Sequence, residues 1–80
     1  MVEVPIRIPR VSTAAFEATL VDVLVPDGGT VNQDEALFVV ETDKVEVEIP
    51  AATSGVVHWS APQGNVYAVG EEIGFIETDG

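Results

Sequence analysis

Two segments of this chain are near copies of each other. Glu41-Thr42-Asp43 recurs as Glu77-Thr78-Asp79, an offset of 36 (77 − 41). Carried through without gaps, that offset pairs Val21 with Val57, Pro26 with Pro62, Gly28 with Gly64 and Glu35 with Glu71. Leu37 and Val40 then meet Ile73 and Ile76, and Val39 meets Phe75. Each copy strings short β-forming blocks between turn signals, and each has a face too apolar to stand alone in water. Two such halves bury those faces against each other. The expected fold is therefore all-β: two small antiparallel sheets around one core, a flattened β-barrel or sandwich with an internal quasi-twofold repeat.

Turn chemistry sets the expected boundaries. Strands are predicted over residues 2–8, 19–25, 30–31, 37–40, 45–49, 56–60, 66–67 and 73–77. Pro5 lacks a backbone donor and confines the first of these to an edge or a bend. Pro26-Asp27-Gly28-Gly29 and Pro62-Gln63-Gly64-Asn65 read as turns, since proline presets one dihedral and glycine supplies positive φ. Residues 10–17 show no clear period and are too short for a stable helix. They read as a surface loop with Phe16 as its anchor. Phe38, Trp59 and Phe75 read as core, and the acidic pairs Asp34-Glu35 and Glu71-Glu72 as solvated turn residues.

Length and charge narrow the classes of function. The chain has 80 residues, enough for one small domain, 1–80, near the lower limit for a single core. Without cysteine it can hold no disulfide and no thiolate metal site. Its apolar runs fall far short of a membrane span, and its first residues lack the pattern of a signal peptide. A formal charge of −11 argues against nucleic acid or an anionic membrane as partner. Any electrostatic attraction would be toward positively charged protein surfaces.

The chemistry gathers at Lys44, the only lysine in the chain. Ahead of it runs Leu37-Phe38-Val39-Val40; behind it Val45, Val47 and Ile49 alternate with Glu46 and Glu48, the period of a strand buried on one face. Only Thr42, Asp43 and Lys44 lie between, so the reading is a hairpin with the primary amine at its tip. The repeat places Gly80 opposite Lys44, so the fold has no need of a lysine there. Glu41, Asp43, Glu46 and Glu48 favour the protonated amine, which makes it a poor spontaneous nucleophile. Schiff-base chemistry, which wants a desolvated or cation-flanked lysine, does not fit. An amine acylated by a separate enzyme does. A plain solvated turn lysine is the bland alternative, worth on the order of 0–1 kcal/mol in exposed ion pairs. His58 is the only histidine. It has no Ser or Cys at triad spacing and reads as a packing or surface residue.

Glu41-Thr42-Asp43-Lys44-Val45, followed by Glu48-Ile49-Pro50-Ala51 and Gly55-Val56, resembles the lipoyl-attachment domains of the dihydrolipoyl acyltransferases of 2-oxo acid dehydrogenase complexes. The succinyltransferase (2-oxoglutarate dehydrogenase) type is the nearest in form. The resemblance covers nearly the whole chain and implies two four-stranded sheets, with lipoate on Lys44 through an amide. Asp43 and Val45 would then be read by the modifying enzyme, a lipoate ligase or a lipoyl/octanoyl transferase. It further implies a carrier that is not itself a catalyst. A thiamine-diphosphate 2-oxo acid decarboxylase would load the arm, an acyltransferase core would pass the acyl group to coenzyme A, and a flavin-dependent dihydrolipoyl dehydrogenase would reoxidise the arm. Val11, Ser12, Thr13, Ala14, Ala15, Phe16 and Glu17 would form the loop by which the decarboxylase selects its domain. This loop departs from the family's acidic-glycine pattern, and Gly28-Gly29 replaces the usual Gly-Asp turn. The implied compartment is a bacterial cytoplasm or a mitochondrial matrix. Two readings stand beside this one: a biotinyl carrier, which would place methionines where Asp43 and Val45 stand, and an unmodified interaction module.

Overall fold

Blocks of β-branched and aromatic residues, cut every few positions by Pro, Gly, Asn or Asp, become eight short strands among the described residues. The computed structural model describes residues 2–11, 16–43 and 45–79. The strands are β1 (Val2–Arg7), β2 (Glu17–Val23), β3 (Thr30–Val31), β4 (Ala36–Glu41), β5 (Glu46–Pro50), β6 (Gly55–Trp59), β7 (Val66–Ala68) and β8 (Glu72–Thr78). They form two four-stranded antiparallel sheets, in the orders β1-β8-β6-β3 and β5-β4-β2-β7. Pro5 does lie on an edge strand, the place in a sheet that tolerates a residue without an N–H.

The two sheets are not the two halves of the repeat. Each sheet draws two strands from either half, and the chain changes sheet at every connection except that between β4 and β5. Matching β1 to β5, β2 to β6, β3 to β7 and β4 to β8 turns one strand order into the other. The pseudo-twofold is therefore real, but the halves interleave. A half alone would offer one thin sheet with a bare apolar face; spread over both sheets, its side chains close on the core from two sides.

Local geometry repeats with the same offset. Gly28 and Gly64 have φ of 83° and 90°, and Asp34 and Gly70 have φ of 70° and 90°. Leu24 N–H donates to Leu37 O as Ser60 N–H does to Ile73 O, both at 2.9 Å. Glu35 and Glu71 lie at exposed turns as expected, and each also accepts a backbone N–H, from Asn32 at 3.0 Å and Ala68 at 3.1 Å. The gapless alignment fails in one place. Against β4, β2 pairs Leu20 with Val40 but then Asp22 with Val39, which leaves Val21 as a bulge. The corresponding β6 runs on β8 without a shift. Leu20, not Val21, is thus the counterpart of Val57. Both are fully buried, whereas Val21 is 37% exposed.

The core between the sheets is built from Leu20, Val31, Leu37, Phe38, Val40, Val57, Ile73 and Ile76, closed at its ends by Ile6, Ile8 and Ala51. Trp59 packs edge-on to Phe38 with centroids 6.0 Å apart and donates its ring N–H to Val25 O at 2.8 Å. Phe75 departs from expectation. It alternates with buried Ile76 and so lies half-buried on the outer face, stacked on His58 at 4.8 Å. The β8 ladder that continues past it is matched by Pro5 on one side and His58 on the other.

Candidate functional site

Among the described residues, the only consecutive strands that pair with each other are β4 and β5, the two on either side of position 44. From Phe38↔Ile49 the ladder runs through Val39↔Glu48 and Val40↔Val47 to Glu41↔Glu46. Val40 is fully buried and Val47 half-buried, while Glu41, Glu46 and Glu48 face water. One apolar face seated on the core thus fixes the register of the whole hairpin. Beyond Glu41↔Glu46, Thr42 N–H donates to Val45 O at 2.8 Å. Asp43 is exposed, and Val45 is 42% exposed. Lys44 itself lies outside the described residues, as do Ser12, Thr13, Ala14 and Ala15. What is described is a rigid, strand-paired base with an open, acidic rim.

Sheet pairing brings the described ends of the β1–β2 connection to this same end of the molecule. Thr19 on β2 pairs with Glu41, so extending the antiparallel register by two residues carries Glu17 alongside Asp43. Glu17 pairs with Ala68 on its other side, and Val69 N–H donates to Phe16 O at 2.9 Å. At the start of the connection, Ile8 N–H donates to Glu71 O and Gly70 N–H to Ile8 O. Both ends of the loop are therefore tied to the β7–β8 turn. The anchor expected at Phe16 is wrong: Phe16 is 74% exposed, and among the described loop residues it is Val11 that packs against the core. Without a clear period over 10–17, the sequence held no signal to choose between them.

The other basic residues stand here too. Arg7 Nη1 donates to Gly70 O at 3.1 Å, and its Nη2 lies 3.7 Å from Glu72 Oε1, both side chains about half exposed. The guanidinium of Arg10 lies 5.9 Å from the centroid of the Phe16 ring. The chain ends lie far off. Val2 pairs with Thr78, and Val56 pairs with both Glu77 and Thr30, which places β3 at that end. From β3 a short turn leads into β4, whose opposite end carries the Thr42–Val45 closure, in a molecule with extents of 36 × 20 × 20 Å.

The exposed end of the hairpin suits the display of a side chain. Among the described residues no group of His, Asp and Glu could hold a metal ion. His58 is remote from the hairpin tip, on the outer face of the other sheet, its Nε2 shielded and unpartnered. The residues on either side of the tip position, Asp43 and Val45, are both exposed. Gly55 has a packing role. A Cβ there would collide with Glu77 O and Ile76 Cγ2 on β8.

Comparison with known proteins bears on the same features. The family model described as Biotin-requiring enzyme (Biotin_lipoyl) matches residues 4–76. The chain is 36% identical over 73 residues to the dihydrolipoyllysine-residue succinyltransferase component of the 2-oxoglutarate dehydrogenase complex of Cupriavidus necator, covering 91% of this chain and 18% of that protein. It is 37% identical over 76 residues to the lipoamide acyltransferase component of the branched-chain alpha-keto acid dehydrogenase complex of Pseudomonas aeruginosa, covering 94% and 18%. The chain thus spans under a fifth of the length of these curated relatives. Among solved structures, the lipoyl domain of the 2-oxoglutarate dehydrogenase complex of Azotobacter vinelandii superposes with a TM-score of 0.78 at 27% identity, covering 96% of this chain and 99% of that one.

Proposed function

The chain belongs to the Biotin_lipoyl family of attachment domains, and from this we propose that it is a lipoyl carrier whose Lys44 bears an amide-linked lipoyl arm. One observation carries the proposal. The sole lysine stands in Glu41-Thr42-Asp43-Lys44-Val45, at the tip of the only hairpin among the described strands, where the repeat requires no lysine. When bound, the lipoyl group supplies the disulfide–dithiol couple used in acyl and electron transfer. The chain's own residues bind and present it. The β4–β5 ladder holds the attachment point rigid, with Val40 and Val47 fixing its register. Asp43 and Val45, both exposed, offer the modifying enzyme its contacts. Exposed Glu41, Asp43 and Glu46 make this end of the hairpin acidic, a setting in which acylation of a lysine waits on an enzyme with an activated acyl donor.

The parent assembly in this reading is a 2-oxo acid dehydrogenase complex. Its thiamine-diphosphate decarboxylase, acyltransferase core and flavin-dependent dihydrolipoyl dehydrogenase would be the partners, with tethering raising the local concentration of the arm at each site. The 2-oxoglutarate type is favoured by the Glu-Thr-Asp-Lys-Val form and by the lipoyl-domain neighbour.

Intact mass after incubation with a lipoate ligase, lipoate and ATP tests the proposal, with a biotin ligase and biotin run in parallel. One lipoyl adduct on the chain and none on Lys44→Ala is the expected result. A biotin adduct alone moves the domain to carboxylase chemistry. A folded sample that accepts neither group is an interaction module.

A further inference from the structure

Phe16 is the most exposed large apolar side chain among the described residues, at 74%, whereas Phe38 is buried and Trp59, Tyr67 and Phe75 are half-buried. An exposed aromatic ring forgoes the gain of burial. It is not on a loose tether: its carbonyl is held by Val69 N–H, and the far end of the connection by Gly70 and Glu71 through Ile8. The Arg10 guanidinium stands over the ring. The pseudo-twofold shows that the fold does not require this feature. The matching β5–β6 connection, residues 51–54, is shorter, starts with buried Ala51 and carries no aromatic residue. The longer connection, with its exposed ring, occurs only at the end that holds the hairpin tip.

We infer that Phe16, flanked by Val69 and Arg10, is a resting platform for the arm on Lys44. The inference builds on the lipoyl reading above. The occupant it commits to is a neutral polymethylene stem ending in a dithiolane. Three features select it. Tethering beside the ring gives the arm a high effective concentration, so a weak contact suffices. Sulfur packs favourably near an aromatic edge. Glu17, Glu41, Asp43 and Glu46 ring the same end, exposed, and repel an anionic occupant, while an uncharged arm is indifferent to them. The arm then alternates between a docked and an extended state, and its disulfide spends part of its time shielded from solvent.

Proton NMR on the loaded domain tests this, with loading confirmed first by intact mass. The expected result is an upfield ring-current displacement of the dithiolane and adjoining methylene protons, with changes at the Phe16 ring and the Val69 amide on loading. Phe16→Leu, which keeps an apolar surface but no ring, should abolish the displacement, and Phe75→Leu, on the other sheet, should leave it intact. Arm protons at equal positions in wild type and Phe16→Leu overturn the platform and leave the carrier reading standing. Changes at Phe16 seen only after a decarboxylase is added also overturn it, assigning the ring to a partner protein. Absence of any adduct overturns both.

Discussion

Gly55 and Gly64 show how differently two glycines can matter. At Gly55 the β6 backbone approaches β8 so closely that an added methyl would meet Glu77 O and, at 2.8 Å, Ile76 Cγ2. At Gly64 the demand is conformational: φ is 90° and open space surrounds the missing Cβ. Gly55→Ala is therefore expected to lose on the order of 3 kcal/mol, as overpacking against backbone does, and Gly64→Ala only about 1 kcal/mol, the cost of left-handed geometry for an L-residue. Denaturant melts of both variants check the ranking; equal losses would contradict it. Lys44→Ala is the opposite kind of change. With Gly80 in the matching position of the repeat, it should move the melting temperature by less than about 4 °C, as a surface substitution does in a domain this size, while abolishing the adduct. A drop of many degrees would make the lysine structural. Lys44 was legible as a site because residue type, count and the repeat all singled it out. Phe16 was misread because burial of an isolated aromatic in an aperiodic loop depends on contacts that local sequence does not encode.

The strands were readable to within a residue or two because their boundaries are written in Pro and Gly, and the apolar alternation across 45–49 named the hairpin correctly. The bulge at Val21 was not readable. Val21, Val57 and their neighbours are all β-branched or apolar, so a gapless alignment looks as good as the true one. The structure makes the extra residue testable. Deleting Val21 would give β2 the regular pairing that β6 already has, with Leu20 still facing the core. The deletion is expected to fold cooperatively, losing no more than about 1–2 kcal/mol. Deleting His58 from the unbulged β6 should instead turn the strand's buried set outward and prevent cooperative unfolding altogether, because side chains alternate with period two. Circular dichroism melts of the two deletions distinguish the cases. Equal damage from both would mean that Val21 is not the inserted residue.

At the level of the molecule, the pseudo-twofold makes the chain ends the counterpart of the hairpin tip. Glu77↔Glu3 matches Glu41↔Glu46, and Val2-Glu3-Val4 matches Val45-Glu46-Val47. A circular permutant joining Asp79 to Val2 through a single-lysine linker, reopened at Gln63, would repeat Glu-Thr-Asp-Lys-Val at the far end. It is expected to accept two lipoyl groups by intact mass. A single adduct would mean that the modifying enzyme also reads the β1–β2 connection, which exists only at the natural end. Composition, turn signals and the internal repeat were enough to settle that this chain is all-β, that it has two similar halves and that Lys44 is its singular residue. These follow from local preferences and period, which short segments carry on their own. The interleaving of the halves into shared sheets, the bulge at Val21, the outward face of Phe75 and the gathering of Phe16, Arg10 and Glu17 beside the hairpin were settled in three dimensions. Each depends on which strand lies beside which, and that is chosen by the joint burial of side chains far apart in the chain.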